Sequence, residues 1–118
     1  MKIFDSHCHL DDKAYRKAIA RVIERAHENG VTRMMTVGVN KKTVERAVEL
    51  AESHAGIFAS VGFHPHDASQ CSRTKLDFLV TMAENPKVRA WGEIGLDYNR
   101  MYSPREDQEK WFIRQLQI

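Results

Sequence analysis

Hydrophobic residues along the chain alternate between short continuous runs and longer stretches with helical spacing. The short runs are rich in apolar and β-branched residues; the first begins at Ile3, and the others cover 31–39, 57–63 and 88–96. Between these runs, apolar residues recur every three or four positions, which places them on one face of an α-helix. The pattern therefore predicts four strand–helix units, a repeat that is typical of parallel β/α architecture.

Local signals mark where several helices begin and end. The first helix is predicted over 13–29, with Gly30 in the position of a C-terminal cap. Asn40 is predicted to cap the second helix, and Pro86 is predicted to end the third. The third helix should bury one apolar face, formed by Leu76, Leu79, Val80 and Ala83.

The last helix has the most complete start signal in the chain. Residues 103–106 are Ser, Pro, Arg and Glu, which fits a capping box with proline in the first helical position. The helix then runs to Ile118 without a glycine, an asparagine or a polar tail. We therefore expect the chain to be interrupted inside this helix. We also expect the first and fourth strands to be unpaired edges, through which copies of the chain can associate.

The spacing of the units fits both a doubly wound sheet and a (β/α)₈ barrel. Neither GxGxxG nor GxxxxGK[ST] follows any of the strands, which removes the commonest nucleotide-binding reasons for an open sheet. The 118 residues suffice for one ordinary domain, and 42% hydrophobic with 29% charged residues is a normal globular composition.

Charge, hydropathy and cysteine content limit the cellular compartments and the partners that the protein can be expected to have. The formal net charge of +2 is too small to argue for or against a nucleic-acid partner. No apolar run approaches the ~18 residues that a membrane span needs, and the N-terminus lacks the layout of a secretory signal. Cys8 and Cys71 form no CxxC motif, which favours a reducing compartment. We therefore expect a cytoplasmic protein without a membrane partner.

Three of the four predicted strands end in side chains that can bind metal or transfer protons. His7 and His9 follow the first strand, and Glu93 lies at the end of the fourth. His64 and His66 follow the third strand. Residues i and i+2 of a strand point to the same side, so His7 and His9 can aim at one point. In parallel β/α proteins, sites are built at the carboxyl ends of the strands.

Two imidazoles and a carboxylate form a ligand set for a divalent metal such as zinc, manganese or iron. A metal held there activates water and polarises a carbonyl or phosphoryl oxygen. A carboxylate such as Glu93 can also bridge two cations, as two-metal phosphoesterase sites require. The sequence thus predicts a metal site that contains His7, His9 and Glu93.

Each of these groups also has a structural interpretation. His64 and His66 could belong to a rigid loop with a capping histidine, and Glu93 could be a buried carboxylate paired with an arginine. Asp97 fits a loop or cap acceptor better than a ligand, and Asp5 fits either an orienter of a histidine or a backbone acceptor. The remaining histidines and cysteines are predicted to be structural: His27, His54, Cys8 and Cys71.

Three motifs together resemble the TatD family of metal-dependent deoxyribonucleases, a branch of the amidohydrolase-like barrels. They are DSHCHL at 5–10, VGFHPHD at 61–67 and GEIGLDYNR at 92–100. The helix that contains EDQEKWFIRQLQI is similar to the family's helix after the fourth strand. The resemblance implies a (β/α)₈ TIM-type barrel, of which residues 1–118 would form the first half, about four β/α units.

The resemblance also implies roles for individual residues. His7, His9 and Glu93 match metal-ligand positions, and Glu93 and His64 match catalytic ones. His64 and His66 match positions near the substrate phosphate. The implied cofactors are two divalent ions (magnesium, manganese or zinc). The implied activity is hydrolysis of DNA phosphodiester bonds, with trimming of single strands from the 3′ end.

The chain departs from the family in one respect. The family's remaining ligands, two histidines and an aspartate, lie on strands after the fourth and have no equivalent within these 118 residues. Two other functions therefore stay open beside the nuclease. One is an amidohydrolase-like enzyme or a hydrolase of small phosphoesters, and the other is an inactive half-barrel.

Overall fold

Four parallel strands form one sheet whose spatial order follows the chain, in a computed structural model that describes all 118 residues. The strands are β1 (Ile3–Cys8), β2 (Val31–Val37), β3 (Ile57–Val61) and β4 (Val88–Trp91). The α-helices are α1 (Ile19–Glu28), α2 (Lys41–Ser53), α3 (Arg73–Ala83) and α4 (Arg105–Leu116). Two 3₁₀ helices cover Lys13–Tyr15 and Pro65–Gln70. A doubly wound sheet reverses its strand order at a switch point, whereas this order is consecutive, so the predicted partial barrel is confirmed.

Helices α1, α2 and α3 cover one face of the sheet and bury its apolar residues. Alternate residues of β3 point to this face, and Ile57, Ala59 and Val61 are fully buried there. The core extends from α1 to α3, because Ile23 and Leu79 are also buried. The opposite face of the sheet lines an open cavity of about 300 Å³, which corresponds to the interior of a barrel.

The local signals around the second helix are confirmed by its hydrogen bonds. The Asn40 side chain accepts a hydrogen bond from the Thr43 N–H, and the Thr43 hydroxyl accepts one from the Asn40 N–H. This reciprocal pair closes the start of α2. Gly30 follows α1 with a φ of +86°, in the left-handed region where a side chain would be strained.

Two predicted helix features are wrong in detail. The first helix does not start at residue 13, because Asp12 caps a short 3₁₀ turn through the Ala14 N–H, and α1 starts only at Ile19. In the third helix, Leu76 and Leu79 are buried as predicted, but Val80 is exposed.

The predicted capping box before the last helix does not form. Pro104 is the N-terminal cap of α4, and no side chain caps the helix. Ser103 is fully buried, and its hydroxyl instead binds the backbone of His66 and Ser69. The Ser103 hydroxyl, which the local sequence assigns to the helix cap, therefore forms tertiary hydrogen bonds instead.

The ends of the sheet are β1 and β4, each paired to one neighbour, as predicted. Association of copies through these edges stays a prediction, as does an interruption of the chain inside α4. No helix combines the length and the apolar character that a membrane crossing requires. All three later strands end earlier than predicted, so Glu93 lies in the segment after β4, two residues beyond Trp91.

Candidate metal centre

His7, His9 and Glu93 converge at the carboxyl end of the sheet. One ligand atom from each lies within 4.8 Å of the other two. His7 Nε2 and Glu93 Oε2 are 3.4 Å apart, and the His7 and His9 rings meet edge to face. The alternation of β1 explains this placement, because His7 and His9 share one side while Cys8 packs on the other.

The spacing of these donors fits a single divalent ion. Ligand atoms bound at about 2.1 Å lie at most about 4.2 Å apart, so small side-chain rotations bring the set to that distance. Two nitrogens and a carboxylate oxygen suit zinc and manganese. The two histidines are exposed and the carboxylate is partly exposed, so an ion has access from solvent.

His64 connects the segment after β3 to the same carboxylate. Its Nε2 lies 3.3 Å from Glu93 Oε1. Its Nδ1 accepts a hydrogen bond from the His66 N–H, which leaves the ring proton of the neutral imidazole on Nε2, facing Glu93. Burial lowers the pKa of His64 below its usual value, although Glu93 acts in the opposite direction. Glu93 thus has histidine partners rather than the arginine that a structural role would require.

His66 pairs with Asp97, 31 residues further along the chain, through its Nε2. The other carboxylate oxygen of Asp97 accepts the N–H groups of Asn99 and Arg100. The Arg100 N–H, followed by the His66 contact, lowers the pKa of Asp97 to about 2. Asp97 is therefore a loop acceptor, as predicted, and it also orients a predicted site histidine. The rings of His66 and Tyr102 pack edge to face.

His64, His66 and Glu93 line one open cleft of about 500 Å³. Its remaining wall is formed by Pro65, Ile94, Gly95, Leu96, Asp97 and Arg100. His7 and His9 lie outside this wall, but Glu93 is shared between the cleft and the histidine pair. The structure thus brings all five predicted site residues to one end of the sheet.

Other predicted residues have structural roles. Asp5 accepts the His7 N–H at 3.2 Å, which is the backbone alternative. The Cys8 thiol donates to the Met35 carbonyl, and burial raises its pKa to about 12. His54 lies at the end of α2, where its Nδ1 is 3.1 Å from the Leu50 carbonyl.

A polar pocket of about 450 Å³ lies beside the start of α2 and contains no hydrophobic residue. Four of its residues are cationic: Lys13, Arg16, Lys42 and Arg46. Asp11, Asp12 and Thr43 complete the wall, and Arg46 is paired with Glu49. The pocket begins two residues after His9, so it adjoins the carboxyl ends of β1 and β2.

Three buried polar residues at this end of the molecule are absent from the predicted site. They are Ser103, Gln108 and Gln115, each at most 3% exposed. The sequence holds a weak signal for them, since Gln108 and Gln115 share the helical face of Trp111 and Phe112. Glutamines at such positions are rarely buried without a hydrogen-bonding reason.

Comparison with known proteins gives a consistent result. A family model described as "TatD related DNase" matches residues 4–118. The "Uncharacterized metal-dependent hydrolase YabD" of Bacillus subtilis (strain 168) is 36% identical, over 98% of this chain and 46% of that protein. The "3'-5' ssDNA/RNA exonuclease TatD" of Escherichia coli (strain K12) is 34% identical, over 98% of this chain and 45% of that protein. The chain spans about half the length of the curated relatives it matches.

Two solved structures share the fold. YJJV, a TatD homologue from Escherichia coli K12, superposes with a TM-score of 0.87 and is 29% identical, over 98% of this chain and 45% of that one. An uncharacterized amidohydrolase from Saccharomyces cerevisiae superposes with a TM-score of 0.89 at 22% identity, over 99% of this chain and 43% of that one.

Proposed function

Because the chain belongs to the family of TatD-related DNases, we propose that the protein is a metal-dependent hydrolase of phosphodiester bonds in DNA. The observation that carries this proposal is the convergence of His7, His9 and Glu93 at the end of the sheet. The family relationship adds the expectation of trimming from the 3′ end of single strands. An amidohydrolase-like activity is compatible with the same site but has no observation of its own in its favour.

In this proposal, His7, His9 and Glu93 hold the metal, and Glu93 can contribute to a second ion through its other oxygen. A bound divalent ion would supply an activated water and an electrophile for a phosphoryl oxygen. The proposal includes two bound ions, each of them magnesium, manganese or zinc.

His64 and His66 are proposed to bind the substrate phosphate. His64 carries its ring proton on the nitrogen that faces Glu93, and its lowered pKa keeps it neutral near pH 7. Its ring N–H can donate to Glu93 or to a substrate phosphate oxygen in the cleft that the two residues share, and together with Glu93 it is the proposed catalytic pair. Asp97 remains ionised at that pH and holds His66 in one orientation.

The polar pocket beside α2 supports a polyanionic substrate over a small neutral one. Among its cations, Lys13, Arg16 and Lys42 form no ion pair within the chain. Unpaired cations beside the carboxyl ends of the strands attract phosphates of the DNA that lie several nucleotides away from the scissile bond. A hydrolase of small amides or esters has no use for such a neighbouring surface.

The proposal is tested by following hydrolysis in the protein at its natural length. After removal of metal with a chelator, Mn²⁺, Mg²⁺ or Zn²⁺ is added back with 5′-labelled single-stranded DNA, small phosphoesters, esters or amides. We expect metal-restored shortening of the DNA from its 3′ end. Metal-dependent cleavage of small amides with intact DNA would instead favour the amidohydrolase alternative.

The role of the polar pocket gives a separate prediction. Replacing Arg16 and Lys42 together with alanine should weaken binding of single-stranded DNA and flatten its salt dependence. The slope of log K against log[salt] is negative, and removing two cations that neutralise phosphates of a single strand should reduce its magnitude by about 1.4. The matched control is the double replacement of Lys2 and Arg25, which removes the same charge at the opposite end of the strands. Equal changes in both variants would show that only net charge matters.

A further inference from the structure

Helix α4 carries two buried glutamines on the side that faces the site segments. Gln108 is 1% exposed and Gln115 is 3% exposed. They are seven residues apart, close to two helical turns, and so lie on one face about 10.5 Å apart along the axis. A buried side-chain amide must find hydrogen-bond partners, and most partners of the two glutamines are backbone groups beside the site histidines and carboxylates. In addition, Gln115 Nε2 lies 3.2 Å from the Trp111 carbonyl of its own helix, and Gln108 Nε2 lies 3.9 Å from Met101 Sδ.

Gln115 binds both backbone groups of Phe63. Its Oε1 accepts the Phe63 N–H at 2.7 Å, and its Nε2 donates to the Phe63 carbonyl at 3.1 Å. Phe63 lies two residues beyond the end of β3, and the next residue is His64, whose ring contacts Glu93. The amide therefore fixes the backbone from which His64 projects.

Gln108 repeats this arrangement on the segment after β4. Its Oε1 accepts the Asp97 N–H at 2.7 Å, and its Nε2 lies 3.1 Å from the Asp97 carbonyl and 2.8 Å from the Ser103 carbonyl. Asp97 is the residue whose side chain pairs with His66. The segment that carries Glu93 and Asp97 is thus tied to the same helix as the segment that carries His64 and His66.

Ser103 adds a third connection just before α4. Its hydroxyl donates to the His66 carbonyl at 2.8 Å and accepts the Ser69 N–H at 3.0 Å. Residues 103–115 therefore contact the backbone of both segments that carry the two histidine–carboxylate pairs, the one after β3 and the one after β4. Among side chains of this length, an amide alone offers a donor and an acceptor at the spacing of one residue's N–H and C=O.

We propose that Gln108 and Gln115 are positioning residues, through which α4 holds the segments after β3 and β4 so that His64 faces Glu93 and His66 faces Asp97. This inference rests on the proposed function, because the two glutamines are proposed to keep the groups of the metal and phosphate site in place. Neither glutamine is itself one of the metal ligands or one of the residues that line the cleft.

The test combines Mn²⁺ titration with ¹⁵N spectra of the histidine rings, in the protein at its natural length. In Q115L, Mn²⁺ should bind about 10- to 100-fold more weakly, because His64 is no longer held in place to orient the ligand Glu93. The His64 ring nitrogens should also lose the pattern of a proton fixed on Nε2. In Q108L, the His66 signals should change while those of His64 remain.

The matched control is Q117L, a glutamine-to-leucine change at an exposed position near the end of the same helix. It should leave Mn²⁺ affinity within twofold of the unaltered protein. If Q115L does not fold, Q115M replaces it, because methionine has about the length of glutamine without an N–H donor or a carbonyl acceptor. Affinity within twofold and unchanged His64 signals in the folded variant would overturn the proposal.

The same data separate this inference from the proposed function. If the unaltered protein binds no Mn²⁺, the proposed metal site fails, and the ring spectra alone decide whether the glutamines position the histidines. If the unaltered protein binds Mn²⁺ and the variants match it in both measurements, the metal site stands and the positioning role fails.

Discussion

Alanine in place of His7 or Glu93 is expected to lower DNA hydrolysis about 10²- to 10³-fold. A metal ion contributes several kcal/mol to stabilisation of the transition state, and each 1.36 kcal/mol lost is a factor of about ten in rate. The free energy of unfolding should change by less than about 1 kcal/mol, since these side chains are 54% and 36% exposed. Initial rates with saturating Mn²⁺ and urea denaturation curves measure the two quantities.

His27→Ala is the matched control for this prediction. His27 is an exposed histidine in the last turn of α1, just before the start of β2 and thus at the opposite end of the strands from the proposed ligands. Its replacement should leave the rate within about twofold of the unaltered protein. A comparable rate loss in H27A, or losses in H7A and E93A that simply follow unfolding, would contradict the assignment of the metal ligands.

Leu79→Ala should do the reverse and destabilise the fold by about 3–5 kcal/mol. Leu79 is fully buried between α3 and the sheet, where it packs with Val44, Val61 and Phe63. The change removes apolar burial and leaves a cavity that the surrounding close-packed side chains fill only in part. At temperatures where L79A remains folded, its rate per folded molecule should stay close to that of the unaltered protein.

Val80→Ala is the control for the core, because Val80 adjoins Leu79 on α3 but is 37% exposed. It removes methyl groups from a partly solvated position and should cost less than about 1 kcal/mol. Urea denaturation of both variants in parallel gives the comparison. Equal costs for the two residues would show that α3 does not pack against the sheet as described.

Much of the fold could be predicted because its signals are local. The capping pair of Asn40 and Thr43 needs only residues three apart, and the apolar runs of the strands are continuous in sequence. The predicted start of α1 is wrong for a physical reason. Tyr15 and Ala18 fit the helical spacing, but the Asp12 carboxylate closes a 3₁₀ turn, and this local hydrogen bond prevails over periodicity.

The site residues could be found from sequence, while most of their contacts could not. Five side chains meet because they lie at or just beyond the carboxyl ends of three parallel strands, although His7 lies inside β1 rather than after it as predicted. The pairing of His66 with Asp97 spans 31 residues and depends on where β4 ends. Ser103 shows the same limit, since its hydroxyl is used by His66 and Ser69 rather than by the adjacent helix.

The roles of Gln108 and Gln115 lie furthest beyond prediction. Both look like ordinary helix residues, and on the same helix Ile113 and Leu116 are more than half exposed. Residue hydropathy alone would therefore place Ile113 and Leu116 inside and the amides outside, although the amides share the helical face of Trp111 and Phe112. The reverse holds because the amides satisfy backbone groups of Phe63 and Asp97 that no strand pairs.

The proposed metal centre requires that His7, His9 and Glu93 hold a divalent ion together. A crystal structure of the protein grown with Zn²⁺, with anomalous data collected on both sides of the zinc absorption edge, tests it most directly. We expect an anomalous peak about 2.0–2.2 Å from one nitrogen of each histidine and from a Glu93 oxygen. A peak bound only by other residues, or no peak at this end of the sheet at saturating zinc, would contradict it.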